Sequence, residues 1–145
     1  MPTKTTRSKA VCYIVRDGQL LVFRHLDSSI EEDGIQVPAG TIQAGEDPEH
    51  AALREAREET GLTELSVVRK LGVAQYDITP YRPEIQQRHF FHLALHQETP
   101  ERWLSQEDHD GTGQPTRFEC FWIPLEQGHV LQSGQGALLA NLLDE

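Results

Sequence analysis

The sequence is short of three features that mark particular protein classes: long apolar runs, cysteines and basic residues. No segment approaches the roughly 18 consecutive apolar residues that span a bilayer, and the polar start MPTKTTRSK has no apolar stretch typical of a secretory signal. We therefore expect a cytoplasmic protein with no membrane partner. The only cysteines, Cys12 and Cys120, lie in apolar runs, which predicts buried free thiols and no disulfide.

Acidic residues outnumber basic ones: the sequence has 13 Lys and Arg and 23 Asp and Glu, which gives a formal net charge of −10. Binding to a nucleic-acid polymer depends on clustered Lys and Arg that release counterions, so this balance argues against such a partner. A small phosphorylated substrate is compatible with it, since a metal ion held by carboxylates can join an acidic protein to an anionic ligand. The 145 residues and 37% hydrophobic content fit one globular domain.

The chain contains no internal repeat, low-complexity tract or linker. We predict a flexible tail over residues 1–8 and one domain over residues 9–145. Apolar runs predict a hairpin that turns at Asp17-Gly18, the dipeptide favoured in tight hairpins. Further strands are predicted over residues 35–40, 65–77, 88–96 and 117–123.

Two helices complete the predicted fold. Asp47 is a good N-cap, Pro48 suits the first helical position, and Gly61 can end the helix in a left-handed conformation. The C-terminal GQGALLANLLDE carries a helical stripe of four leucines that should pack on the sheet: Leu138, Leu139, Leu142 and Leu143. This order of elements predicts an α/β (α+β) fold in which helices flank a mixed β-sheet.

The stretch REAREETGL, residues 54–62, concentrates carboxylates on one side of the central helix. At about 100° per residue, Glu55, Glu58 and Glu59 share a face, and like charges at this spacing destabilise a helix by about 0.2–0.5 kcal/mol per pair. Ala56 lies on the neighbouring edge and should face the core. Because an unpaired buried carboxylate is costly, we expect the acidic row to lie outside the core, either as a solvated face or as a cation site.

The residues upstream favour the cation site. Gly40 and Gly45 permit a tight loop before the helix, and Glu46 adds a fourth carboxylate. Hard divalent cations such as Mg²⁺ take oxygen ligands of this kind and keep some water, which leaves positions for substrate phosphates.

Residues 40–62, GTIQAGEDPEHAALREAREETGL, resemble the signature of the Nudix hydrolase family. Eight positions match in residue and spacing: Gly40, Glu46, Arg54, Glu55, Glu58, Glu59, Gly61 and Leu62. Ala56 fills the first aliphatic position of the signature, and Ile35 and Ala39 stand where the family often has an aromatic residue and a glycine. The resemblance implies a Nudix-type α/β/α sandwich over nearly the whole chain.

The resemblance also implies a reaction, the hydrolysis of a diphosphate linkage in a nucleoside diphosphate joined to another group, with Mg²⁺ or Mn²⁺. The substrate would be a nucleoside triphosphate, a dinucleoside polyphosphate or a sugar nucleotide, and the protein a monomer or homodimer. Glu58, Glu59, Glu55 and the Gly40 carbonyl would be metal ligands, with Glu55 alternatively the base that activates water. Arg54 would orient the glutamates and Glu46 would support them.

Outside the signature, residues 97–116 are predicted to form a substrate-facing lid, because long loops are usually functional or disordered. Glu107 is the candidate for a further metal ligand, with Glu119 as runner-up. Trp103 could stack on a base or equally cover the core. Three more residues could contact the substrate: Arg82, Arg88 and Tyr76.

Two other functions stay open at this point. One is a catalytically inactive Nudix-fold module that binds nucleotides or regulates, and the other is a cation site that only stabilises the fold. The intact set of charged positions in the signature favours the hydrolase.

Overall fold

The fold is a mixed sheet with one long helix, and the computed structural model describes residues 3–29, 33–108 and 114–144. The strands are β1 (Thr5–Arg16), β2 (Gln19–His25), β3 (Ala39–Thr41), β4 (Leu65–Asp77), β5 (Glu84–Leu95), β6 (Arg102–Glu107) and β7 (Thr116–Pro124). The α-helix, α1, covers Pro48–Thr60, and 3₁₀ helices cover Leu125–Val130 and Leu139–Asp144. Across the described residues no helix is long and apolar enough to cross a membrane.

The strand order is β4-β5-β1-β2-β7-β6, and the short β3 pairs with β1 beside this path. Among the seven strands of the described residues, only β1 and β5 pair in parallel, and the other strand pairings are antiparallel. On its other side β1 is shared, because residues 9–11 in its middle pair with β3 and only its last two residues pair with β2. The split places Gly40 directly opposite Ala10, near the middle of the sheet.

Both faces of the sheet are covered. Alternate side chains of β1 point to opposite faces, and Ala10 packs in the core under α1 while Val11 packs in the core under the C-terminal segment. Because both faces of β1 are covered, consecutive residues of this strand are apolar. We refer below to the α1 face and the C-terminal face.

The C-terminal segment covers its face without forming the α-helix that the leucine stripe predicted. Its backbone bonds run from residue i to residue i−3, as between Leu139 N and Gly136 O at 3.1 Å, which is a 3₁₀ pattern. Gly134 and Gly136 both disfavour an α-helix here. Leu138, Leu139 and Leu142 still pack on the sheet, as the stripe predicted.

Three further strand predictions differ from the structure. Strand β1 begins at Thr5, which pairs with Glu84 of β5, whereas a flexible tail was predicted over residues 1–8. The predicted strand over residues 35–40 is shifted, because regular pairing covers Ala39–Thr41. Residues 102–107 form strand β6 at the sheet edge, whereas a lid was predicted over residues 97–116; of that segment, residues 109–113 lie outside the described residues.

Candidate metal centre

The orientation of α1 is fixed by its caps and by three alanines. The Asp47 side chain accepts a hydrogen bond from Glu49 N at 2.8 Å, and Gly61 ends the helix at φ 78° with its N–H bound to Arg57 O. Fully buried alanines line the face of the helix that meets the sheet: Ala51, Ala52 and Ala56. Because side chains this small allow close approach, the neighbouring carboxylates lie against the sheet and β3.

Arg54 organises the carboxylates through a forked set of hydrogen bonds. Its Nε and Nη2 donate to the two oxygens of Glu46 at 2.8 and 2.9 Å, and Nη2 also donates to Thr41 O at 3.0 Å. Its Nη1 donates to Glu55 Oε1 at 2.8 Å. A two-point Arg–carboxylate contact is both strong and directional, and it holds the pKa of Glu46 well below its ordinary value. Arg54 is therefore locked between β3, the loop and the helix.

Glu55 lies directly over Gly40. A Cβ placed on Gly40 would come within 2.0 Å of the Glu55 carboxyl carbon, so only glycine leaves room for this side chain. Glu55 is 8% exposed. Burial raises its pKa, which Arg54 opposes and the neighbouring carboxylates of Glu58 and Glu107 reinforce.

Glu59 is buried as well, so the expectation that the acidic row lies outside the core is wrong for two of its three members. Glu59 is also 8% exposed, and its Oε1 accepts a hydrogen bond from Ala39 N at 2.8 Å. That bond supplies the partner that a buried carboxylate requires. Burial nevertheless raises the pKa of Glu59 well above its ordinary value, and the charges of Glu55, Glu107 and Glu58 add to the effect.

Strand β6 brings Glu107 to the helix. Two side chains on its inner face bind carbonyls at the end of α1: Trp103 Nε1 donates to Thr60 O at 2.9 Å, and Ser105 Oγ donates to Glu59 O at 2.6 Å. These carbonyls have no partner inside the helix. Since alternate residues of a strand share a face, Glu107 is the next side chain on the same side.

Glu55, Glu58 and Glu107 form the acidic cluster of this protein. One carboxylate oxygen from each lies within 4.8 Å of the other two. Three carboxylate oxygens at this separation repel one another, and Arg54 Nη1, 2.8 Å from Glu55 Oε1 and 3.4 Å from Glu58 Oε2, offsets part of that repulsion. The oxygens match the ligands that Mg²⁺ and Mn²⁺ prefer. The donor set therefore fits a hard divalent cation, with Glu59 directly beside it.

The runner-up ligand, Glu119, lies elsewhere. On β7, Phe118 and Cys120 pack toward α1, whereas Phe121 packs on the C-terminal face. By strand alternation Glu119 points away from α1. Its carboxylate bonds to Arg24 Nε at 2.8 Å and lies 3.4 Å from Arg102 Nη1. Glu119 is thus an ion-pair partner on the far face and does not join the acidic cluster.

The residues proposed to contact the substrate fall into three places. Trp103 is half-buried and packs on the core under α1, which agrees with the second of its two predicted roles. Arg88 and Tyr76 lie together on the C-terminal face, with the guanidinium 4.3 Å from the ring centre. Arg82 is exposed in the turn between β4 and β5. The structure therefore does not gather these four side chains around the acidic cluster.

Several contacts of the site carry no signal in the sequence. The Thr41 carbonyl is a backbone group, and Ser105 is an ordinary serine in a polar stretch. Lys9 matches no motif in the sequence, yet its Nζ donates to Thr41 Oγ1 at 2.8 Å. This contact could have been predicted only from the pairing of β1 with β3, which places Lys9 opposite Thr41.

Comparison with known sequences agrees with this architecture. The model of the NUDIX domain family matches residues 5–142. Over 54 residues the chain is 37% identical to an ADP-ribose pyrophosphatase of Bacillus subtilis (strain 168), a match over 37% of this chain and 29% of that protein. Over 47 residues it is 51% identical to an RNA pyrophosphohydrolase of Sphingopyxis alaskensis, a match over 32% of this chain and 28% of that one. The chain thus spans less than a third of each relative.

Solved structures share the fold over almost the whole chain. A MutT protein from Methanosarcina mazei Go1 has a TM-score of 0.70 at 16% identity, covering 99% of this chain and 98% of that chain. A MutT NUDIX hydrolase from Burkholderia pseudomallei has a TM-score of 0.65 at 20% identity, covering 96% and 99%. With the family match over residues 5–142, these findings show that the chain belongs to the Nudix hydrolase family.

Proposed function

We propose that this protein is a pyrophosphohydrolase that uses Mg²⁺ or Mn²⁺ to cleave the diphosphate linkage of a small nucleotide derivative. The observation that carries the proposal is the acidic cluster, in which two carboxylates of α1 and one of β6 converge beside Gly40. Arg54 offsets only part of the repulsion among these carboxylates, through Glu55 at 2.8 Å and Glu58 at 3.4 Å, and a bound cation would relieve the rest.

In this proposal Glu55, Glu58 and Glu107 hold the cation, with Glu59 and the Gly40 carbonyl as further ligands. When bound, the cation neutralises phosphate charge, polarises the attacked phosphorus and lowers the pKa of a bound water. Arg54 keeps the Glu55 carboxylate in place through the 2.8 Å bond to its Oε1. Glu46 in turn holds the Arg54 side chain in place and is not itself a ligand of the cation.

Glu55 is also the candidate for the base that accepts a proton from the attacking water. Burial raises its pKa, and a base works best when its pKa approaches the working pH. A role as base and a role as ligand make different predictions for Glu55→Gln. Loss of the base removes the acidic limb of the rate–pH profile, whereas loss of a ligand raises the cation concentration needed for half-maximal rate.

The substrate class is a nucleoside diphosphate joined to another group. The named relatives act on ADP-ribose and on RNA by their descriptions, so the substrate panel should span both. We propose a small nucleotide in preference to an RNA polymer, because the net charge is −10 and an acidic surface repels a polyanion.

The test is a hydrolysis screen of about twenty nucleotide diphosphate derivatives and one 5′-triphosphorylated RNA oligonucleotide, with Mg²⁺ and with Mn²⁺. Release of phosphate, pyrophosphate or nucleoside monophosphate is the readout. Metal-dependent turnover of at least one small nucleotide supports the proposal. Tight nucleotide binding without turnover would assign the protein to the inactive binding modules instead, and thermal stabilisation by the cation with neither binding nor turnover would leave a structural cation site.

A further inference from the structure

A polar cleft lies on the far side of Gly40 from the acidic cluster. Its volume is about 180 Å³. The lining residues are Lys9, Val11, Gln36, Ala39, Gly40, Gln86, Arg88 and Gln135. This lining, drawn from the described part of the chain, contains two cations and three amides but no carboxylate and no aromatic ring. Gly40 is the residue that the cleft and the acidic cluster share.

The two cations of the cleft come from neighbouring strands. Lys9 and Arg88 are register partners on the parallel strands β1 and β5, and adjacent strands lie about 4.8 Å apart. Arg88 is only 6% exposed and Lys9 is half-buried. The Lys9 ammonium donates to Thr41 Oγ1 at 2.8 Å, and both side chains line the cleft. Burial lowers the pKa of each, so both charges are held partly out of water.

Neutral groups supply the contacts that hold Arg88. Its Nε donates to Gln86 Oε1 at 3.1 Å, its Nη1 donates to the Ser133 carbonyl, and its guanidinium stacks on Tyr76. No ion pair of Arg88 is found among residues 3–29, 33–108 and 114–144. A buried cation without an anionic partner is unfavourable, so an anion supplied from solution would stabilise this arrangement.

Glu84, whose negative charge opposes the lowering of the Lys9 pKa, is paired with other groups. Glu84 lies two and four residues before Gln86 and Arg88 on β5, and it is 2% exposed. It pairs with Arg7 at 3.1 Å and accepts a hydrogen bond from Gln86 Nε2 at 3.1 Å. Glu84 thus holds the Gln86 amide, whose oxygen orients Arg88, and it does not line the cleft.

We propose that Lys9 and Arg88 bind a phosphate group of the substrate that lies beyond the linkage cleaved at the acidic cluster. This inference rests on the proposed function, and it narrows the substrate to nucleotides with at least a third phosphate, namely nucleoside triphosphates and dinucleoside polyphosphates. A nucleobase site would offer a flat ring for stacking, and this lining has none. A phosphate fits both the charge and the small volume of the cleft.

The first test compares substrates that share one nucleoside, a triphosphate and a diphosphate-sugar, in the wild type and in Lys9→Met. The ratio of kcat/KM for the triphosphate over the diphosphate-sugar should fall about tenfold, because a charge-assisted contact to phosphate is lost. The matched control is Lys70→Met, an exposed lysine on β4 that faces the α1 side. An unchanged ratio in Lys9→Met, or an equal fall in Lys70→Met, would overturn the inference.

The second test needs no turnover. Calorimetry with inorganic triphosphate, in the presence of a chelator, should give binding to the wild type that is about tenfold weaker in Lys9→Met. Arg88→Lys keeps the positive charge but loses the paired hydrogen-bond donors of the guanidinium, so it should weaken triphosphate binding by less than tenfold. A thermal melt checks that this variant is folded. If no substrate is hydrolysed but triphosphate binding follows this order, the proposed function fails and the phosphate site stands. Equal binding in all variants would refute the site.

Discussion

Gly40 sets the position of the Glu55 carboxylate, because there is no space between them for a methyl group. Gly40→Ala should therefore displace Glu55 from the acidic cluster and lower kcat by up to about 10²-fold, the effect of a misplacement of about 1 Å. The backbone of Gly40 is not in the left-handed region, so the fold should persist. The measurement is steady-state kinetics together with a thermal melt.

A double-mutant cycle separates this mechanism from general damage. If Gly40→Ala acts through Glu55, it should have little further effect on kcat in a Glu55→Ala background. Fully additive losses would mean that the alanine disturbs the site by another route.

The raised pKa values of Glu55 and Glu59 predict how the stability of the metal-free protein varies with pH. An unfolded glutamate titrates near 4.5. Above that pH the unfolded chain releases protons that the folded carboxyls still hold, so the free energy of unfolding should fall as pH rises. Glu46 has the opposite shift, and its contribution should be lost only as pH falls below 4.5.

Glu59→Gln tests this directly, since it removes one of the two raised groups with little change in shape. In excess chelator, the melting temperature of the variant should decline less steeply than that of the wild type between about pH 5 and 8. Glu49→Gln, an exposed glutamate on the same helix, is the control and should follow the wild type. Parallel curves for Glu59→Gln and the wild type would refute the assigned cause.

At the scale of elements, the hydrogen bonds between β6 and the end of α1 locate Glu107. Ser105→Ala removes the bond to Glu59 O and should lower the free energy of unfolding by about 0.5–1.5 kcal/mol. Because this bond also positions Glu107, two residues along the strand, the cation concentration needed for half-maximal rate should rise as well. Ser66→Ala removes an exposed serine of β4 whose partner is His96, and it should change neither quantity. A stable Ser105→Ala with normal cation dependence would show that β6 is positioned by its strand pairing alone.

The contact between α1 and the sheet depends on small side chains. Ala56 is fully buried, so Ala56→Leu should destabilise the protein by about 1–3 kcal/mol through overpacking. Ala56→Val should be tolerated better. Chemical denaturation of both variants checks the order, and equal stability would mean that the helix can move away from the sheet without penalty.

Strong local signals in the sequence predicted some elements and missed others. The hairpin at Asp17-Gly18 and the caps of α1 were predicted correctly because turn and cap residues act locally. Strand β6 was missed because its residues, RWLSQE, are mostly polar and its one aromatic side chain, Trp103, is only half-buried. The C-terminal α-helix was predicted from leucine spacing, but its glycines and its close packing on the sheet favour a 3₁₀ helix.

At the scale of the whole molecule, the sheet brings together residues that are far apart in sequence. Glu107 comes near Glu55 because β6 packs at the end of α1. Lys9 and Arg88 line one cleft because β1 and β5 pair in parallel. The signature at residues 40–62 predicted the candidate ligands of the helix without any structure. Long-range pairings leave no such local pattern, and this explains why Glu107 was only one of two candidates and Lys9 was overlooked.

A cation should stabilise the folded protein as well as activate it. A ligand that binds only the folded state raises the free energy of unfolding by about 2.7 kcal/mol at a concentration 100 times its Kd. Addition of Mg²⁺ or Mn²⁺ should therefore raise the melting temperature in the same concentration range that activates turnover. Removal by a chelator should reverse both changes, and full turnover of verified metal-free protein would contradict the cation requirement.

The central claim is that the acidic cluster binds the catalytic cation through Glu107 as well as through α1. The most direct measurement is the Mg²⁺ dependence of hydrolysis in the wild type, Glu107→Gln and Glu119→Gln. We predict that the Mg²⁺ concentration for half-maximal rate rises at least about tenfold in Glu107→Gln, in line with loss of a charged ligand, and stays at the wild-type value in Glu119→Gln. A wild-type Mg²⁺ dependence in Glu107→Gln, or the larger shift in Glu119→Gln, would contradict the claim.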